Sequence, residues 1–325
     1  MIVLSEKDIA ALLPMETAID VIERAMIAVS AGKATLPLRS TMEAGGSNRM
    51  GIMPGAMRDP VCHGVKLVSL FPDNPAAGYS SHQGAIVLFE PKHGSAVAMM
   101  NAGLLTAIRT AAASAVATRV LAREDSKVLA VIGTGEQAEH HLDAMMAVRA
   151  IAEIRIVGRH AEKAAAFVER ARLRFPALSF GSGTDVRAAV GGADIVCTVT
   201  SAAEPILFGD WIAPGTHINV VGASIPSKRE IDAALVAGSA LYVDYRPSTF
   251  AQAGEVIEAM DKGLVTRDHV RAEIGEVLAG AAPGRGGRDE ITLYRSLGIA
   301  AQDLACAHHC LLAARERGLG VDVEL

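Results

Sequence analysis

Aromatic side chains are scarce in this chain. Phe, Tyr and Trp make up 4% of its 325 residues, and there is one tryptophan. Small residues are plentiful instead, with 31 glycines and many alanines. Small side chains let helices lie close on a sheet, so this balance favours a helix-rich α/β protein over a β-sandwich. Cysteine is sparse too: Cys62, Cys197, Cys306 and Cys310 do not make a disulfide framework in a chain this long. Neither sign of charge dominates. Thirty-one Lys and Arg stand against 36 Asp and Glu, a net charge of −5, which gives no footprint for nucleic acid or an anionic membrane. No apolar run is expected to reach the roughly 18 residues a bilayer span needs. The long uncharged stretch His93–Ile108 carries Gly, Ser and Asn and stops at Arg109. The segment Met1–Asp8 has no basic region leading into an apolar one, so a soluble cytoplasmic protein is the expectation.

Half of the residues (50%) are hydrophobic and 21% are charged, which fits a folded protein and excludes a disordered one. The length suggests two domains or one large one. Cys306, His309 and Cys310 share a face if their segment is helical, as metal ligands would. Three ligands from one helical turn close a tetrahedron poorly, and no matching Cys/His pair lies elsewhere, so no metal is expected.

Ser5–Gly32 reads as helical, with Ser5 as a cap and Pro14 as a break. From Thr35 to Glu90 the chain turns to strand-like runs, with a hairpin turn at Pro91-Lys-His-Gly94. Leu104–Arg123 reads as an Ala-rich helix carrying Arg109 and Thr110 near its start. Then Lys127–Ile132 forms an apolar strand, followed at once by Gly133-Thr-Gly135-Glu-Gln-Ala138 and a helical run to about Arg149. Further strands are expected at Glu153–Val157, Ile195–Val199, His217–Val221 and Ala240–Asp244, with helical or turn material between them. That rhythm means a doubly wound parallel sheet. A last amphipathic helix, Gly298–Arg317, is expected to pack on the first domain.

A G-x-G-x-x-A pattern carries weight because it follows a strand and opens a helix. Gly133 permits the tight turn, Gly135 lets the backbone approach a pyrophosphate, and Ala138 keeps the helix close to the sheet. An NAD-binding chain of this type ends its second strand in an acidic residue for the ribose hydroxyls. Here Gly158-Arg159-His160 stands there, and Arg159 suits a 2′-phosphate, with His160 or Lys163 able to add charge. NADPH is therefore expected over NADH.

Five stretches give the chain a wider resemblance. They are Gly64-Val-Lys-Leu-Val-Ser-Leu-Phe-Pro-Asp-Asn-Pro75, Ser81-His-Gln-Gly84, Leu105-Thr-Ala-Ile-Arg-Thr-Ala-Ala112, Gly133-Thr-Gly-Glu-Gln-Ala138 and Thr292-Leu-Tyr-Arg-Ser-Leu-Gly-Ile299. Together they resemble the ornithine cyclodeaminase/mu-crystallin family over nearly the whole chain. The resemblance implies a Rossmann NAD(P)-binding domain at residues 116–299. It also implies a discontinuous α+β domain for substrate binding and dimerisation, residues 1–115 plus 300–325. The family's substrate-binding residues fall on Arg39, Lys66 and Arg109, which would clamp the carboxylate of a small imino or amino acid. Thr110, Gln137, Thr198 and Ser201 match positions near the cofactor, and His82 lies in a family motif, with a structural or a proton-transferring role.

One departure bears on the reaction. Cyclodeaminases of this family carry an aspartate in the loop after the fifth Rossmann strand, where this chain has Ser224. A serine hydroxyl is a poor base for ring closure with loss of ammonia. The mu-crystallin branch, associated with ketimine reduction, has serine there. The resemblance thus implies an NAD(P)H-dependent homodimeric reductase, Δ1-pyrroline-2-carboxylate to L-proline, with Lys66, His82, Ser224 or water protonating the imine nitrogen. A cyclodeaminase, an alanine-type dehydrogenase or a non-catalytic NADPH-dependent binder are the alternatives.

Overall fold

The computed structural model describes residues 1–324. The chain divides into two units: Met1–Ala112 with the segment from Gly298 onward, and Ala113–Leu297. The junctions therefore fall three residues before and two residues before the expected 115/116 and 299/300 boundaries.

The first unit opens with the helices Glu6–Leu12 and Met15–Ser30. Ser5 caps the former: its hydroxyl accepts from the Asp8 N–H while the Asp8 carboxylate accepts from the Ser5 N–H. Pro14, which cannot continue a helix from the preceding turn, starts the latter. An eight-stranded sheet follows, in the order Val321–Asp322, Ile2–Leu4, Ala96–Asn101, His82–Phe89, Val61–Leu70, Arg49–Arg58, Ala34–Thr35, with Ser40–Glu43 also on Arg49–Arg58. Only the pairing of Ile2–Leu4 with Ala96–Asn101 is parallel. The period of two sorts the side chains. Met53, Lys66, Ile86 and Met100 lie in register on one face and are buried. Pro54, Val65, Val87 and Met99 lie in register on the other and are half-buried or exposed. The helix Ala300–Arg317 covers the first face, so closely that a Cβ on Gly55 or Gly64 would stand 3.1 Å from Leu304.

Helix Ala102–Leu121 corrects an expectation. It is long and apolar enough to cross a membrane by length and composition, yet most of it is buried inside the structure, as in the core helix of a folded protein. Its small residues, seven of them buried alanines, allow that close burial.

The second unit is a parallel sheet in the order Ser179–Gly183, Glu153–Val157, Val128–Ile132, Ile195–Thr198, His217–Val220, Thr292–Arg295, Ala240–Val243, Val270–Glu273. Strand succession reverses between Val128–Ile132 and Ile195–Thr198, and ligands of such sheets bind beyond the carboxyl ends at that point. Thr292–Arg295 enters the middle of the sheet, which its pattern hides. Arg295 is a fully buried charge, paired with fully buried Glu255, and its guanidinium also donates to Val220 O (3.1 Å) and Ala223 O (2.5 Å).

Candidate active site

The inward face of the first unit's sheet brings three cations together. Lys66 points inward because Val65 and Leu67 point outward, and it is 2% exposed. Its Nζ lies 2.8 Å from both carboxylate oxygens of Asp303 and 3.5 Å from Thr106 Oγ1. Arg109, 4% exposed, reaches the same carboxylate from helix Ala102–Leu121: its Nε donates to Asp303 Oδ1 at 2.8 Å. Its Nη1 donates to Gln302 Oε1 at 2.7 Å. Arg39, half-buried, donates from Nη2 to the Gly298 carbonyl at 2.7 Å and presses electrostatically on Lys66. Gly298 has φ +75°, and a Cβ there would lie 2.5 Å from Arg109 Nη1. Only glycine fits against that guanidinium.

Asp303 and Gln302 are what the sequence reading missed. The helix Ala300–Arg317 reads Ala-Ala-Gln-Asp-Leu-Ala-Cys at its start, and Asp303 shares the buried face of Cys306 and Cys310. A carboxylate in that apolar stripe was the available signal, as Arg109 was on its own helix. Asp303 also lies in the first turn, where the helix dipole favours an anion.

The charges decide the titration. Burial first, and Arg109 second, push the Lys66 ammonium down to about 7. Burial alone would raise Asp303, but Arg109 and Lys66 together hold it below the usual carboxylate range. Arg109 engages two of its five donors within the chain, and the Gly298 backbone closes on the Nη1/Nη2 end of the guanidinium. The sequence left open whether Arg109 clamps a ligand or pairs with an acidic residue brought in by the fold. The pair exists, and it orients the guanidinium.

His82 begins its strand and is exposed, with Nδ1 2.9 Å from Ser81 Oγ. Its pKa is lowered by partial desolvation of the ring and then by Lys66, so the imidazole is neutral near pH 7.

The second unit carries the glycine motif as the sequence predicts. Strand Val128–Ile132 runs into Gly133, whose φ is +133°. A Cβ there would stand 2.7 Å from Val199 O, so glycine is required at this turn. Gly135 N-caps helix Glu136–Val148 without a side-chain cap, and a Cβ on it would meet nothing within 4 Å. Ala138 is fully buried against the sheet. Gln137 Oε1 is buried without a partner among the described residues. An open backbone and a bare helix N-terminus fit the pyrophosphate of a dinucleotide. Arg159 follows the next strand, exposed and with no ion pair among the described residues.

The hydroxyl protons of two residues expected near the cofactor are already engaged. Thr110 donates its hydroxyl to Thr106 O at 2.7 Å, and Thr198 donates its hydroxyl to Glu230 at 2.9 Å. Each therefore has only lone pairs left to offer a ligand. Ser201 is exposed beyond the strand end, and Ser224 is half-buried in the loop after His217–Val220. Glu230, also unforeseen, is a buried carboxylate that accepts from Thr198 Oγ1, Thr200 N and Oγ1, and Gly222 N. It ties two loops at the carboxyl edge of the sheet.

With this geometry in place, comparison with known proteins is informative. A family model for the ornithine cyclodeaminase/mu-crystallin family matches residues 1–316. The chain belongs to that family. Ketimine reductase mu-crystallin of Mus musculus is 38% identical over 258 residues, 79% of this chain and 78% of that protein. Δ1-pyrroline-2-carboxylate reductase of Bacillus cereus is 32% identical over 328 residues, covering 100% of both. Among solved structures, Thermococcus litoralis Δ1-pyrroline-2-carboxylate reductase, in complex with NADH and L-proline, superposes with a TM-score of 0.96 at 36% identity. That match covers 99% of this chain and 100% of the other.

The cluster generates a direct expectation. Arg109→Lys keeps a charge but loses the planar fork and the bond to Gln302. It should lower kcat/KM for a carboxylate substrate at least about tenfold, roughly 1.4 kcal/mol, and leave cofactor affinity unchanged. Steady-state kinetics with cofactor titration checks this; unaltered turnover in the folded variant would remove Arg109 from the clamp.

Proposed function

We propose that this protein reduces cyclic ketimine carboxylates with NAD(P)H, and that its substrate is Δ1-pyrroline-2-carboxylate, giving L-proline. The observation that carries this reading is the buried pair of cations, Lys66 and Arg109, on one carboxylate, Asp303, with half-buried Arg39 near Lys66. The cluster holds more positive than negative charge, and a substrate carboxylate supplies the missing anion. Similarity to reductases that act on such imines supports the same reading.

Reduced nicotinamide, when bound, supplies the hydride for the C=N carbon. Gly133, Gly135 and the N-terminus of helix Glu136–Val148 hold its pyrophosphate. Arg109 holds the substrate carboxylate, and Lys66 and Arg39 add charge. The imine nitrogen gains a proton as the carbon gains hydride, completing C=N to CH–NH. Lys66, held near neutrality, is the group suited to provide that proton. His82 is too little protonated near pH 7, and the Ser224 hydroxyl is too weak an acid. Purified protein should oxidise NADPH with preformed Δ1-pyrroline-2-carboxylate and yield L-proline. Proline formation from ornithine and NAD⁺ without imine reduction, or turnover of pyruvate plus ammonia alone, would refute the proposal.

NADPH is the proposed cofactor over NADH, on the strength of exposed, unpaired Arg159 after the second strand. Arg159→Ala should weaken NADPH by about 1–3 kcal/mol and leave NADH little changed. Fluorescence titration with both cofactors measures it, and equal losses would assign Arg159 elsewhere.

We further propose that the outward face of the first unit's sheet joins two copies. Pro54, Val65, Val87 and Met99 form an apolar row there, and Met99 is 41% exposed. Sedimentation velocity at micromolar concentration should show a dimer that Val65→Lys with Val87→Lys dissociates. A monomeric wild type would refute this.

A further inference from the structure

The arrangement around Lys66 has a consequence for how substrate and proton arrive, and it rests on the reductase reading above. Four elements bring charged or titratable groups to Lys66. Asp303 comes from helix Ala300–Arg317, Arg109 from helix Ala102–Leu121, Arg39 from the segment before Ser40–Glu43, and His82 from the neighbouring strand. Thr106 adds a neutral hydroxyl. One carboxylate therefore stands against Lys66 and Arg109, and its Oδ1 is shared by the two, each at 2.8 Å.

Asp303 is 0% exposed and Lys66 2%, so water screens these charges poorly. The cheapest relief is loss of a proton. Arginine does not release one, so the proton leaves Lys66. Burial and Arg109 both act in that direction and push the unliganded amine down to about 7. A second carboxylate beside Arg109 reverses the balance, because it supplies the anion that Asp303 cannot supply twice.

We propose that a carboxylate entering this cluster binds together with a proton taken up by Lys66, so that the substrate's own carboxylate recharges the amine that protonates the imine nitrogen. The atoms balance. Solvent gives one proton to Lys66 Nζ on binding, Nζ gives it to the ring nitrogen as the C=N carbon receives hydride, and neutral Lys66 awaits the next carboxylate. The order has a chemical use: the acid is present when a carboxylate is present, and only then.

The test is calorimetric titration of the NADP⁺-loaded protein with 2-furoate, a five-membered-ring carboxylate without a basic nitrogen, at pH 8 in phosphate and in Tris. The two buffers differ in ionisation enthalpy, so the difference in apparent heat counts protons. More than half a proton should be taken up per site, and 2-furoate affinity should fall as pH rises further. Lys66→Arg, which keeps a charge that cannot titrate, should abolish uptake, whereas His82→Gln should retain it. Binding without uptake in the wild type overturns the inference while leaving the carboxylate site intact. Uptake that survives Lys66→Arg and disappears in His82→Gln overturns it in favour of the histidine. No binding of 2-furoate or L-proline at all overturns the reductase reading itself, and this inference with it.

Discussion

A single buried carboxylate organises the first unit's chemistry. Asp303 lies in the opening turn of helix Ala300–Arg317 and receives Lys66 from a strand and Arg109 from another helix. An ion cluster of this kind is a poor source of stability, because desolvation offsets much of the attraction. Its value lies in geometry and charge. Asp303 fixes where the two cations point, and Gln302 and Gly298 fix the plane of the Arg109 guanidinium. What remains unsatisfied is positive charge, which a carboxylate answers.

The second unit uses the same device for a different end. Glu230 gathers four hydrogen bonds from the loops that follow strands Ile195–Thr198 and His217–Val220. Arg295, paired with Glu255, holds the carbonyls of Val220 and Ala223 just before Ser224. Removing either partner of such a buried pair would strand a charge, at a cost of about 3–5 kcal/mol. The loops at the carboxyl edge are thus shaped from beneath by charges that touch no ligand, while the glycine turn above Val199 leaves backbone exposed to one.

Much of this was legible in the sequence, and the reasons differ by element. The strand–Gly133–helix unit was readable because its signals are local: an apolar strand, a turn only glycine can make, and a bare helix start. Lys66 and Arg109 were readable because each breaks an apolar pattern. Their common partner was harder to find, since Asp303 lies 194 residues beyond Arg109 and the Cys306–Cys310 cluster drew the eye to the wrong side chains. Strand Thr292–Arg295 escaped notice because it is four residues long and ends in a charge whose partner, Glu255, is supplied by tertiary folding. For the hydroxyls of Thr110 and Thr198, pattern cannot say that Thr106 O and Glu230 already take their protons. The membrane-length helix Ala102–Leu121 shows the converse: composition permits a span, and the surrounding core explains the apolarity instead.

The central claim is that the cations gathered on Asp303 form the carboxylate site, and a crystal structure of the protein with oxidised cofactor and L-proline tests it most directly. The account predicts the proline carboxylate within hydrogen-bond distance of the Arg109 guanidinium and of Lys66 Nζ, with Asp303 still bridging the two cations. A proline carboxylate bound elsewhere, with Arg109 and Lys66 contacting only Asp303 and Gln302, would contradict it.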